Sequence, residues 1–209
     1  MQKYAPIVWA MGVELALGGV DHVVPDNVGV GHMAYTYLRD LGCRQMAVLM
    51  TDPEWALMRL RCQSFLNSAI DGMLLPTVYA LKRPAHVIEP YGRRVVTADN
   101  LRELVAKFAA ATPRPDGLFI QNDLATAQAY PLLTELGVRP GKDVQIVSCD
   151  AEEARLSSLN PRPASIDLGA TEIGNRCVNR LMNRIEQPNG PPFIIQVAPR
   201  LQLPTESRA

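Results

Sequence analysis

The sequence predicts an α/β fold in which a parallel sheet is covered by helices on both faces. Three observations lead there. Short apolar runs alternate with longer segments whose apolar residues recur at three- and four-residue spacing, and Gly and Pro mark the changes of period. With 47% hydrophobic and 20% charged residues in a chain of 209, there is enough apolar surface for a core. The short runs are apolar throughout rather than alternating, as in strands that right-handed crossovers bury on both sides.

Val20 to Val24 is the first candidate strand, with Asp26 and Asn27 just after it. Over residues 28 to 41, Val30, Met33, Ala34, Tyr37, Leu38 and Leu41 share a helical face that Gly42 terminates. Gln45 to Met50 is a buried strand that delivers Thr51 and Asp52. A helix from about Glu54 to Met73 buries Met58, Cys62, Phe65, Leu66, Ala69 and Ile70, and Pro76 closes the stretch. A short strand follows at His86 to Glu89, then a helix marked by Leu101, Leu104, Val105 and Phe108. The Pro-rich link Thr112 to Pro115 leads into the strand Gly117 to Ile120, which ends at Asn122 and Asp123. A helix from Asp123 to Leu136 breaks at Gly137 and Pro140-Gly141, and the strand Val144 to Ser148 precedes Asp150. Beyond a turn-rich segment through Pro163, a last helix carries Ile173, Cys177, Val178, Leu181, Met182 and Ile185. Strand-like runs at Phe193 to Val197 and Leu201 to Leu203 complete the pattern.

Composition excludes several functions. Lys plus Arg and Asp plus Glu both number 21, so no basic excess exists to neutralise a row of phosphates, and the chain by itself is a poor DNA binder. Cys43, Cys62, Cys149 and Cys177 form no Cys-x-x-Cys pair, and His22, His32 and His86 show no ligand spacing. Neither a metal nor a disulfide scaffold is expected, and a reducing, cytoplasmic setting fits. The apolar run from Ala5 to Val20 is interrupted by Glu14 and is too short to span a membrane, so no membrane partner is expected. No nucleophile–base pair or phosphate loop appears, which argues against an enzyme and against a cofactor.

One motif points the other way. Gly29-Val30-Gly31-His32-Met33-Ala34 satisfies Gly-x-Gly-x-x-Ala at a helix start, and Asp52 ends the next strand, imitating a dinucleotide-binding fingerprint. Pro25, Asp26 and Asn27 separate strand from glycines, which would move the tight turn off the helix terminus. A dinucleotide-binding oxidoreductase is the alternative this motif names.

In parallel sheets, ligands collect outside the carboxyl ends of the strands. The residues there, Asp26, Asn27, Thr51, Asp52, Asn122, Asp123 and Asp150, form a row of carboxylates and amides suited to hydroxylated ligands. Each has a local reading too. Asn122 and Asp123 can cap a helix, Asp150 with Glu153 fits a capping box, and Arg61 beside Arg59 can be a solvated arginine.

A longer pattern covers most of the chain. Asp26-Asn27-x-x-x-Gly31-x-x-Ala34-x-x-Tyr37-Leu38-x-x-Leu41-Gly42, Arg61-x-x-Ser64-Phe65, Asp116-Gly117-Leu118-Phe119-Ile120-x-Asn122-Asp123 and Asp143-Val144-x-Ile146-Val147-x-x-Asp150 follow one another in order. Pro163-Ala164-Ser165-Ile166-Asp167 and Pro199-x-Leu201 continue it. Together they resemble the effector-binding domain of LacI/GalR-type transcriptional regulators over residues 20 to 203. The resemblance implies a periplasmic-binding-protein-like fold of two Rossmann-like lobes that close over a small molecule, commonly a sugar or nucleobase, in a homodimer. Carried over by position, Arg61 grips ligand hydroxyls, Asn122 and Asp123 stand at a strand end, Asp150 fixes hydroxyl orientation and Asp26 approaches from the other lobe. Trp55 could stack on a sugar face.

The resemblance also implies boundaries: an N-terminal lobe beginning in residues 1–43, a C-terminal lobe over 44–165 and a return segment over 166–209, with crossings near Cys43 and Ser165. The chain begins at what would be the fourth strand of the first lobe, so that lobe is expected to be incomplete, and DNA would be reached only through a headpiece absent from this sequence. A sugar-binding protein of a transport system shares the lobes and is the other alternative. Departures from the family are Cys43 for His, Ser64 for Gly and Leu168 for Gln.

Overall fold

The computed structural model describes residues 5–11, 20–53, 55–81, 86–88, 94–96 and 98–204. It is α/β with parallel sheets, and it divides into two compact units: residues 1–26 with 168–200, and 27–167 with 201–209.

The second unit is built on a six-stranded sheet. Its strands are β3 (Met46–Met50), β4 (Thr77–Ala80), β7 (Gly117–Ile120), β8 (Gln145–Cys149), β9 (Ala164–Asp167) and β11 (Arg200–Gln202), in the order β11-β9-β8-β7-β3-β4. From β9 to β4 every pairing is parallel. Helices α1 (Asn27–Asp40) and α2 (Ala56–Asp71) pack on each other and on the sheet, while α3 (Ala98–Ala109) and α4 (Asp123–Glu135) pack together and against β4, β7 and β8. Strand alternation sorts the core accordingly. Ala47, Leu49, Leu118, Ile120 and Ile146 meet Leu101, Leu104, Val105 and Phe108 of α3 and Ala129, Leu132 and Leu133 of α4. Phe119, from the alternate set of β7 positions, stacks on Phe65 of α2 at 5.6 Å between ring centroids. A short helix α5 (Glu153–Leu156) links β8 to β9, and a separate antiparallel ribbon joins β5 (His86–Ile88) to β6 (Arg94–Val96).

The first unit has a parallel three-stranded sheet, β1 (Val8–Ala10), β2 (Asp21–Pro25) and β10 (Ile194–Val197), in the order β1-β2-β10, with α6 (Ala170–Glu186) against it. Its core is small: Val23, Ile173 and Val197, with Val8, Cys177 and Ile195 around them. The apolar face expected of α6 is split. Ile173 is buried, but Val178, Met182 and Ile185 are exposed, because the inner face is occupied by Arg180 and Arg184. Arg180 Nε lies 2.9 Å and Arg184 Nε 2.8 Å from the two carboxylate oxygens of the buried Asp21, which also accepts from the Phe193 N–H.

Burial alone would raise the Asp21 pKa, but the hydrogen bonds from Arg184, Arg180 and Phe193 outweigh it and hold the carboxyl at about 2 against an ordinary 3.8. A depressed carboxylate contributes its stability in full above the unfolded value and loses it as pH falls through the folded one. The stability difference between the wild type and Asp21→Asn is therefore expected to hold above pH 4 and to narrow between pH 4 and 2 in urea titrations. A difference that stays constant through that window would show that Asp21 is not held ionised by the two arginines.

Several boundaries differ from expectation. The crossing placed near Cys43 lies instead between Asp26 and Asn27, because α1 packs on α2, β7, β8 and β9 and so belongs to the second unit. The crossing near Ser165 moves to Asp167–Leu168, since β9 runs to Asp167 in the six-stranded sheet. The return segment does not end in the first unit, because β11 adds to the edge of the second. Strands β4 and β9 were not expected: β4 is a largely exposed edge strand without an apolar run, and β9 sits behind two prolines, Pro161 and Pro163, in a turn-rich segment.

Candidate ligand-binding site

The carboxyl ends of β7 and β8, in the second unit, bring together Arg61, Gln121, Asn122, Asp123 and Asp150. Arg61 lies on the inner side of α2, and its side chain is only 3% exposed. Its Nε donates to Asn27 Oδ1 at 2.9 Å and its Nη1 to the Gln121 carbonyl at 2.7 Å. The same Nη1 stands 3.6 Å from Asp150 Oδ1, an ion pair without a close hydrogen bond. The reading of Arg61 as a solvated arginine is thus excluded. This guanidinium ties the first turn of α1 and the end of β7 to α2.

Gln121 completes the tie and escaped the sequence reading. Its side-chain amide donates to the Met58 carbonyl at 2.6 Å while its own carbonyl accepts from Arg61, a reciprocal clasp between α2 and β7. Its Oε1 is buried with no hydrogen-bond partner among the described residues. The available signal was position, directly after a wholly apolar strand.

Asn122 is the N-cap of α4. Its Oδ1 accepts from the Ala125 N–H at 2.7 Å, which is the local reading of this residue, and its amide nitrogen has no partner among the described residues. Asp123 turns inward. It is fully buried, its Oδ1 accepts from Ser148 and, at 2.9 Å, from Ser165, and its Oδ2 accepts from the Glu152 N–H at 2.7 Å. Burial raises its pKa, and these three donors work against that rise. Asp123 therefore latches α4 to β8, β9 and the Glu152 turn and presents no open oxygen.

Asp150 is the carboxylate that stays reachable, with 26% of its side chain exposed. The backbone turns sharply there: φ is 109° at Asp150 and 55° at Ala151, both in the region that side chains disfavour. The expected capping box is not formed, because Glu152 is the N-cap of α5 and makes no side-chain cap. Burial, partly offset by Arg61, and then Asp123 and Glu152 push the Asp150 pKa up to about 7.

Trp55 lies at the N-terminus of α2, before Arg61, with 48% of its surface exposed. Asp26 belongs to the first unit, at the end of β2, where its N–H donates to the Val197 carbonyl. Asp52 follows β3 and accepts from the Thr51 hydroxyl at 3.2 Å. Among the described residues, a cavity of about 200 Å³ lies elsewhere, at the amino ends of β8 and β9, lined by Tyr37, Tyr130, Gln145, Pro161 and Arg162 among others. The polar cluster at the strand ends has the chemistry that cavity lacks.

The Gly-x-Gly-x-x-Ala motif is not a phosphate turn. Gly29 and Gly31 lie inside α1, and a Cβ on Gly31 would overlap the Arg61 carbonyl oxygen and stand 2.7 Å from Phe65 N and from Ser64 Cβ. Gly31 is where α1 and α2 touch backbone to backbone, and the Ser64 hydroxyl reinforces the contact by donating to the Val28 carbonyl at 2.6 Å. Among the described residues no group of His, Cys, Asp and Glu is placed to hold a metal, and no helix is long and apolar enough to cross a membrane.

Comparison with known proteins gives concordant results. Residues 35–203 match the family described as periplasmic binding protein-like domain. The chain is 24% identical over 170 residues to the ribose operon repressor of Haemophilus influenzae, which covers 81% of this chain and 48% of that protein. It thus spans about half the length of the repressor. A periplasmic binding protein/LacI transcriptional regulator from Alkaliphilus metalliredigens, solved with D-xylulofuranose, superposes with a TM-score of 0.72 at 21% identity, covering 97% of this chain and 71% of that one. A LacI family transcriptional regulator from Enterococcus faecalis with bound ribose gives 0.75 at 18% identity, covering 96% and 68%. At these identities the structures establish a shared fold.

Proposed function

The chain belongs to the periplasmic binding protein-like domain family, and from that premise we propose that it binds a small uncharged sugar as the effector-sensing part of a LacI-type transcriptional regulator. The observation that carries this reading is the pairing of a buried, pre-positioned Arg61 with a reachable Asp150 at the strand ends. Sugar hydroxyls both donate and accept, and a guanidinium beside a carboxylate meets both needs. Asn122 adds an amide donor beside them, and the exposed ring of Trp55 is a surface on which the apolar face of a sugar can stack.

The local charge narrows the ligand class. Asp123 is closed off by Ser148, Ser165 and the Glu152 N–H, and Glu152 is paired with Arg155, so Asp150 is the anion a ligand meets, and hydroxyl donors suit it better than a phosphate or carboxylate does. The relative from Haemophilus influenzae is named for the ribose operon, and the two structural relatives hold ribose and D-xylulofuranose, all uncharged five-carbon sugars. In this reading the sugar biases two conformations of a homodimer, and DNA is contacted by a headpiece outside this sequence.

Thermal unfolding against ribose, xylulose, galactose, adenosine and NAD tests the proposal. A ligand at one hundred times its dissociation constant adds about 2.7 kcal/mol, which for a chain of this size raises the midpoint by about 5 to 11 °C. Such a shift is expected with a pentose or pentulose and not with NAD, and Asp150→Ala is expected to abolish it. Stabilisation by NAD alone, or by none of the sugars, would overturn the reading.

A further inference from the structure

We propose that the cavity at the amino ends of β8 and β9 is a second binding site, and that it takes a small uncharged ring bearing one hydroxyl, a monocyclic phenol. It is separate from the candidate sugar site. β8 starts beside the cavity with Gln145 and Ile146 and leads to Asp150, five residues on, or about 16 Å at 3.3 Å per residue.

The walls are mostly rings. α1 and α4 lie on opposite faces of the sheet, and each sends one tyrosine to the strand ends, Tyr37 from the first and Tyr130 from the second. Pro161 and Pro163 line the cavity just before β9, and Pro204 lines it after β11. Proline has no rotamer freedom to lose and tyrosine little, so the walls are set before a ligand arrives. The volume of about 200 Å³ exceeds the roughly 150 Å³ in which an apolar cavity holds benzene, which leaves room for a ring and a small substituent. The faces of such a ring pack on these walls. A sugar would turn hydroxyls on every side toward proline and Ile146, where they find no partner.

The polar groups are few, and they define the substituent. The Tyr130 hydroxyl is engaged, donating to the Pro161 carbonyl at 2.9 Å. The Tyr37 hydroxyl has no hydrogen-bond partner among the described residues and is free to donate. Gln145 alternates with Ile146, which faces α4, and so shares the α1 side of the sheet with Tyr37. Its amide nitrogen donates to the Gly141 carbonyl at 3.1 Å, which leaves Oε1 as an acceptor. A ligand hydroxyl accepts and donates at once, so it meets both. Arg162, the charged residue of the lining, already holds Glu153 through both terminal nitrogens at 2.9 and 2.6 Å, and no unbalanced charge calls for an ionised ligand.

Titration of the whole chain with p-cresol, followed by backbone amide resonances, tests the site. Toluene is the ring without a hydroxyl, and D-ribose supplies hydroxyls without the ring. p-Cresol is expected to shift the amides of Tyr37, Gly141, Ile146 and Arg162 along one saturable curve and to leave those of Arg61, Asn122 and Asp150 in place. Toluene should move the same amides with about tenfold lower affinity, and Tyr37→Phe, which keeps the ring, should weaken p-cresol about fivefold without changing toluene, as loss of a neutral hydrogen bond requires. Shifts that do not saturate, shifts centred on the carboxyl ends of β7 and β8, or equal binding of p-cresol and toluene would overturn the proposal. So would D-ribose moving the cavity amides as strongly as p-cresol.

Discussion

Replacing Gly31 with alanine is expected to destabilise the protein by about 3 kcal/mol, at the upper end of what overpacking costs, and to lower the melting midpoint by about 6 to 12 °C. The added carbon has nowhere to go. Its nearest neighbours are the carbonyl oxygen of Arg61, the nitrogen of Phe65 and the Cβ of Ser64, two backbone atoms and one atom fixed to the backbone, so relief requires α1 and α2 to separate. Separation also pulls Arg61 away from Asn27 and Gln121, and sugar affinity should fall with stability. Gly174→Ala is the internal control. Gly174 lies within α6 with open space at its Cβ position, so the same substitution is expected to stabilise by about 1 kcal/mol through helix propensity. If both variants melt alike, the close crossing of α1 and α2 does not exist in solution.

Arg61→Met is expected to cost about 3 to 5 kcal/mol at pH 8, the range for breaking a buried ion pair from one side. The methionine keeps much of the side-chain volume but withdraws the donors to Asn27 Oδ1 and the Gln121 carbonyl. It also leaves Asp150 without its paired cation. The loss should depend on pH with a definite sign. Below neutrality Asp150 can take a proton, which removes one uncompensated charge, so the penalty in urea titrations is smaller at pH 5.5 than at pH 8. Sugar binding is expected to vanish at both. A penalty below about 1 kcal/mol at both pH values is what a surface arginine would give, and it would dismantle the site as described.

Much of this architecture is legible because its causes are local. The helical face formed by Val30, Ala34 and Leu38 and the wholly apolar run Gly117–Ile120 need nothing beyond their own neighbours to declare helix and strand, and both lie where their periodicity puts them. β4 and β9 were missed for the complementary reason. An exposed edge strand buries too little to need an apolar pattern, and a strand that directly follows Pro161 and Pro163 reads as turn.

The candidate site was legible in its members but not in their roles. Asn122, Asp123 and Asp150 follow β7 and β8, and Arg61 reaches the end of β7 from α2. Spacing could not say that Asp123 points inward while Asp150 stays reachable. That division depends on Ser148, Ser165 and the Glu152 N–H, which arrive from three other parts of the chain. Gln121 was overlooked because its significance lies in a contact with Met58, far away in sequence.

The sequence by itself determined the α/β class, the order of most elements and the polar residues that end the strands, because periodicity and punctuation act within a few residues. Only the tertiary structure decided that α1 belongs to the second unit, that Gly31 is a contact between helices rather than a phosphate turn, and that Asp21 is gripped by two arginines of α6. It also decided that the buried Arg61 guanidinium reaches Asn27, the Gln121 carbonyl and Asp150 together. Each of these depends on which distant residues meet and how far water is excluded where they do, and neither quantity exists until the chain has packed.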